Sequence, residues 1–198
     1  DRGLPYFEAT YGSMIDGMDN SLGHIMGKIK QLGIEKNTIV IFMSDNGSPS
    51  QCPRNLPLRG HKITPYEGGI RVPMLMKWPG VVKENTVCDE SLIIEDFFPT
   101  ILEMAGVKKY SQIGKIVDGR SFTPLLHGKK VNSANREFFW HFPQFYDLEP
   151  YSVMRKGGWK LIYWYKESKL ELYNIPDDIS ESNNLATANP EKTKEMAE

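Results

Sequence analysis

Residues Thr38 to Gly47 read TIVIFMSDNG, and the fold turns on how this stretch is understood. Its first part is a continuous β-branched and apolar run, of the kind buried on both faces of a parallel sheet. Asp45, Asn46 and Gly47 follow at once. In open α/β sheets ligands bind at that carboxyl end, and an Asp carboxylate with an Asn carbonyl offers the hard oxygens that calcium or magnesium prefers. Asp-Asn-Gly is equally an ordinary turn sequence.

Upstream, Tyr11, Met14, Ile15, Met18, Leu22, Ile25, Met26, Ile29 and Leu32 recur at steps of three and four. That spacing predicts one face of a long helix, with Gly33 placed to end it. Helix, short loop and buried strand together read as α/β. Downstream, Asp45 to Arg71 is rich in Pro, Gly and Asn, and so long a loop in a compact domain is functional or disordered. Arg59, His61 and Lys62 make it basic. A lysine ammonium is a compact point charge suited to a tetrahedral oxyanion such as sulfate or phosphate; a solvated surface lysine is the alternative. Gly68-Gly69 permits a close approach to a ligand or merely sets the loop's path into the next strand. Glu67 and Arg71, four apart, predict an internal ion pair in preference to a catalytic one.

VPMLMKWPG supplies a second strand, EDFFPTILEMA (Glu95–Ala105) a helix with Gly106 as its C′ residue, and DGRSFTPLLHG (Asp118–Gly128) a loop and turn. After about residue 132 the segments become short, aromatic and β-branched, and Gly157-Gly158 is a hairpin signal. The reading is therefore an α/β region over residues 1–131 and a small antiparallel meander of about four strands over 132–198, closed by a helix at Asn189–Glu198. Of the histidines, His24 falls near the apolar stripe and reads as packed or capping, His127 as solvated, and His141 as a residue at the end of a strand.

At 198 residues the chain has length for one sizeable core or two small ones. A net charge of −1 with interspersed signs gives no field for nucleic acid. No apolar run approaches the roughly 20 residues of a bilayer span. Cys52 and Cys88 lack C-x-x-C spacing, so a zinc or redox site is not expected, and the two are read as free or loosely paired. The opening DRGLPYFEATYG has neither an initiator Met nor a leader, and the expectation is of a fragment.

Four blocks, TIVIFMSDNG, LRGHKITPYEGGIRVP, DFFPTILEMAG and DGRSFTPLL, stand in an order and spacing that resembles the second half of a sulfatase of the arylsulfatase type. The likeness includes Met18-Asp19 in the first helix and the late Trp159-Lys160-Leu161 and Leu172-Tyr173-Asn174 segments. It implies the C-terminal part of an alkaline-phosphatase-like fold followed by a small antiparallel-sheet subdomain. It also implies calcium held by Asp45 and Asn46, a sulfate contact at Lys62 with His61 beside it, and a formylglycine nucleophile made from Cys or Ser. That nucleophile belongs to a C-x-P-x-R or S-x-P-x-R motif, which this chain lacks: Cys52-Pro53-Arg54 has Pro and Arg at other offsets, and Ser50 fails the same test. The aspartates that complete the family's calcium site are expected before residue 1.

The resulting expectation is the C-terminal portion of a sulfuric-ester hydrolase, inactive alone, acting when whole on a sulfated small molecule or glycan. A phosphoryl or phosphonate hydrolase of the same superfamily, or a non-catalytic structural fragment, are the alternatives. The likeness implies export, to a periplasm, a lysosome or the outside. A strand deprived of its sheet neighbours leads us to expect self-association of the isolated chain.

Overall fold

A helix, α1 (Tyr6–Gln31), opens the computed structural model of the chain, which describes residues 6–50, 55–107, 117–133, 135–145 and 148–198. It ends as expected, with Gly33 at φ +68°. The Gly33 amide donates to Lys30 and the Ile34 amide to Ile29, a Schellman arrangement that satisfies carbonyls the helix end would leave unpaired. The apolar stripe lies largely in the open, with Met14 66% exposed.

Strand β1 (Val40–Met43) is shorter than the Thr38–Ser44 run. It pairs antiparallel with β2 (Met74–Lys77), Met43 opposite Met74 and Val40 opposite Lys77. The expectation of a parallel strand buried on both faces is thus corrected: the pairing is antiparallel and every residue of β1 is half-buried. An apolar run specifies that a strand seeks cover but not the direction of its neighbour. Here the chain returns along the same strand after a long excursion. The described part of that excursion includes a helical turn, α2 (Glu67–Ile70).

Helix α3 (Phe97–Met104) follows a 3₁₀ turn at Ile94–Asp96 and ends at Gly106, φ +75°. Buried Asp96 gathers three segments: it accepts from the Ile93 and Arg120 amides and from both arms of the Arg136 guanidinium, at 2.9 and 2.5 Å. Asp118–Gly128, expected as loop and turn, contains a single helical turn, α4 (Thr123–Leu126), with Pro124 in its first positions. Four residues are too few for helical periodicity to register in the sequence.

Strands β3 (Glu137–Phe142), β4 (Tyr151–Lys156), β5 (Trp159–Trp164) and β6 (Lys169–Asn174) form an antiparallel sheet in chain order, the expected meander. Gly157, at φ +57°, lies in the β4–β5 turn. Because side chains alternate along each strand, the sheet has two covered faces. Tyr151, Val153, Ile162, Trp164 and Tyr173 pack on one face with Tyr66 against them. Leu161 and Leu172 pack on the other, under Met196 of α5 (Pro190–Ala197).

Candidate functional site

The turn that leaves β1 is fixed locally and then stitched to the basic loop. Ser44 Oγ donates to the Asn46 carbonyl at 2.8 Å, leaving Asp45 exposed and Asn46 half-buried. The Gly47 amide donates to the Gly69 carbonyl at 3.0 Å, and the Lys62 amide to the Ser48 carbonyl at 2.8 Å. The Asp45–Asn46 turn and the lysine-bearing loop are therefore held side by side. A Cβ at Gly47 would overlap the Gly68 carbonyl, and one at Gly69 the Thr64 carbonyl. At Gly68-Gly69 backbone packs closely on backbone, as the path of the loop into the next strand requires.

Lys62 sits in a β-turn closed by the Thr64 amide on the His61 carbonyl at 2.9 Å. The Thr64 hydroxyl donates to the His61 carbonyl and accepts from the His61 amide. His61 is half-buried with Nδ1 2.9 Å from the Lys62 carbonyl, while Lys62 itself is exposed. Ile63 adopts φ +82°, a region that costs a non-glycine residue roughly 1–3 kcal/mol. Its carbonyl accepts from Tyr151 Oη at 2.5 Å.

Behind the turn lies a buried charge network. Glu67 bridges to Lys160 at 3.1 Å, to Arg155 at 3.4 Å and, as expected, to Arg71 at 3.5 Å. Lys160 also reaches Glu181 at 2.8 Å, and Glu181 accepts from the Glu67 amide at 2.6 Å. Glu67, Lys160 and Glu181 are fully buried. Burial pushes the Glu181 carboxyl above its ordinary range, and the pull of Lys160 only partly offsets this. Arg59 lies over the Tyr66 ring at 3.8 Å and donates to Tyr173 Oη and the Glu181 carbonyl. Tyr66 and Tyr173 both donate to Glu171.

Sequence reasoning missed Tyr151, Arg155, Lys160 and Glu181. One signal was available: Lys160 shares the inward parity of Ile162 and Trp164 in WKLIYW, and a charge at an inward position requires a buried partner. Among the described residues no three His, Cys, Asp or Glu side chains converge to hold a metal. Asp45 and Asn46 fit one side of a calcium site by donor chemistry, two hard oxygens on an accessible turn. His24 is exposed on α1, not packed or capping. His127 is exposed as expected, edge-on to Trp78, and exposed His141 has Nδ1 2.7 Å from Ser152 Oγ. Cys88 is a free, exposed thiol, and Cys52 lies outside the described residues.

The sulfatase family model matches residues 7–107, and the model of the N-sulphoglucosamine sulphohydrolase C-terminal region matches residues 61–198. The chain belongs to the sulfatase family. A sulfatase of Formosa agariphila is 36% identical over 208 residues, covering 96% of this chain and 38% of that relative. The steryl-sulfatase of Rattus norvegicus is 33% identical over 142 residues, 67% of this chain and 24% of that enzyme. Among solved structures, Ps i-CgsB in complex with k-i-k-neocarrahexaose superposes with a TM-score of 0.85 at 26% identity, over 98% of this chain and 42% of that one. This sulfatase chain thus spans well under half the length of these relatives, and its fold is the C-terminal part of the alkaline-phosphatase-like fold. No helix among the described residues is long and apolar enough to cross a membrane.

Proposed function

We propose that this chain is the C-terminal portion of a calcium-dependent sulfuric-ester hydrolase. In this reading Asp45 and Asn46 give oxygens to the metal, and Lys62, flanked by His61, contacts the sulfate. The observation that carries it is the pair of backbone hydrogen bonds, Gly47 to Gly69 and Lys62 to Ser48, that sets the two turns side by side. Calcium takes six to eight oxygens, so the two offered here are one side of a shell completed by chain outside this one. When bound, the cation offsets charge on the sulfuryl oxygens. The exposed Lys62 ammonium adds a point charge that can follow the anion, which suits a tetrahedral group better than a planar fork.

The nucleophile, a formylglycine by family likeness, is assigned to sequence outside this chain, and the isolated chain is assigned no turnover. A sulfated small molecule or glycan is the substrate class, a choice supported by the saccharide bound to the Ps i-CgsB neighbour. In this reading the enzyme is exported, to a periplasm, a lysosome or the outside, a choice supported by family likeness alone. Residues 1–131 would complete the α/β domain and 132–198 form the small subdomain.

The test is hydrolysis of an aryl sulfate by the complete gene product, with calcium and after chelation. Asp45→Ala should lower kcat/KM on the order of 100-fold, the scale of losing one preorganised charge-stabilising group, with little change in Tm. Activity that survives both chelation and Asp45→Ala refutes the metal assignment. Faster turnover of aryl phosphate or phosphonate esters than of sulfate would favour the sister hydrolase reading.

A further inference from the structure

Lys62 and Ile63 are the central residues of the His61–Thr64 turn, and only the second has positive φ, at +82°. That is the pattern of a type II turn, whose second central position calls for Gly or Asn. A β-branched residue there is out of place and persists only where its surroundings hold it. The turn's own bonds, through the Thr64 hydroxyl, fix His61 and leave the Ile63 carbonyl to find a partner. Tyr151, 88 residues away, supplies it.

Tyr151 is built to be a rigid donor. Its ring is 5% exposed, stacked on Phe142 with centroids 5.3 Å apart and edge-on to Trp164 at 5.5 Å. Burial pushes its phenol up to about 12, so it keeps its proton throughout the neutral range. The hydroxyl meets the chain one residue after Lys62. If that bond is lost, Ile63 is free to return to negative φ, and the Lys62–Ile63 peptide rotates with it.

We infer that Tyr151 is a positioning residue, which aims Lys62 at a tetrahedral oxyanion by holding Ile63 in its left-handed conformation. This rests on the reading of Lys62 as the sulfate contact. It adds that the anion affinity of the loop is set by a side chain of the C-terminal sheet that touches neither metal nor substrate.

The experiment uses the complete enzyme and measures kcat and KM for an aryl sulfate, the competitive inhibition constant of inorganic sulfate, and Tm. Lys62→Ala tests the underlying reading and should weaken sulfate inhibition. Tyr151→Phe keeps the ring and removes the hydroxyl. It should raise KM and the sulfate inhibition constant about tenfold, the scale of one buried hydrogen bond, with kcat within about twofold. Adding Ile63→Gly should restore most of that loss, because glycine enters positive φ without steric cost. Val153→Ala, a core truncation on the same strand, should lower Tm and leave the inhibition constant alone.

If Lys62→Ala weakens sulfate inhibition and Tyr151→Phe does not, the positioning role is wrong and the Lys62 contact stands. If neither variant changes it, the Lys62 reading fails and takes this inference with it. An equal loss in Val153→Ala, or no rescue by Ile63→Gly, reduces Tyr151 to a purely structural residue. The Tyr151→Phe, Ile63→Gly pair decides the matter even where the single variant is too unstable to assay. Near-native sulfate affinity in the pair supports the inference, and affinity as poor as that of Lys62→Ala overturns it.

Discussion

The four-stranded sheet and the α1–β1–β2 region use similar residues to different ends. In the sheet, Ile162 and Leu172 are completely buried, one face closed by Tyr66 and the other by α5. In the first region, Met14 of α1 and Leu75 of β2 are 66% and 64% exposed. Both regions carry amphipathic patterns of the right period, so patterning alone did not decide which would be covered. What separates them is a second layer: α5 and the basic loop supply one for the sheet, and among the described residues α1 has none. An apolar stripe is a demand for a partner, which the sequence states whether or not the partner is in the same chain.

That contrast can be broken most forcefully at the sheet's charged core. Lys160→Ala would leave Glu67 and Glu181 buried without their shared cation. Breaking such a pair from one side costs about 3–5 kcal/mol, to be read from urea unfolding of the chain. A change below about 1 kcal/mol would mean that the network is not a structural tie.

A smaller effect is expected at Glu171. Burial raises its pKa, but hydrogen bonds from Lys169, Tyr173 and Tyr66 together outweigh this and hold it below the ordinary glutamate value. The unfolded chain therefore takes up this proton at higher pH than the folded one. The stabilisation is fully present above the ordinary value of 4.5 and is lost as pH falls through the lower folded value. Glu171→Gln should flatten the acid limb of a Tm-against-pH profile; an unchanged slope would count against the hydrogen-bond assignment.

The least energetic change is expected on α1. Replacing Met18 and Ile25 with lysine should shift the unfolding free energy of the isolated chain by less than about 0.5 kcal/mol each, as at ordinary surface sites. The parent chain is expected to form oligomers by light scattering across a concentration series, and the same variants should reduce them. A parent chain that stays monomeric throughout would show that the exposed stripe does not drive association.

The sheet was legible because alternation and Gly157-Gly158 are local signals, and α1 because its period runs through many turns. β1 was legible as a strand but not in its pairing, since Met43 meets Met74 across a long excursion that no local pattern encodes. Within the site, residue chemistry could be read directly: Asp45 and Asn46 announce hard oxygens, and Lys62 a point charge. Its scaffolding could not. Tyr151, Lys160 and Glu181 are dozens of residues from the loop they hold, and nothing in the letters around Ile63 shows that an isoleucine occupies a glycine's place.

The same distances govern the order in which the molecule is built. The loop around Lys62 is tied down by partners 88 residues away at Tyr151 and, through Arg59, 122 residues away at Glu181. Contacts of such span close large loops and form only after the entropy of closure has been met by something else. The hairpins of β4, β5 and β6 are local and can form on their own timescale; the lysine turn must wait for them. On a ribosome, then, the Lys62 turn emerges ahead of the partners that hold it and remains unsettled until Tyr151 and Glu181 have followed it.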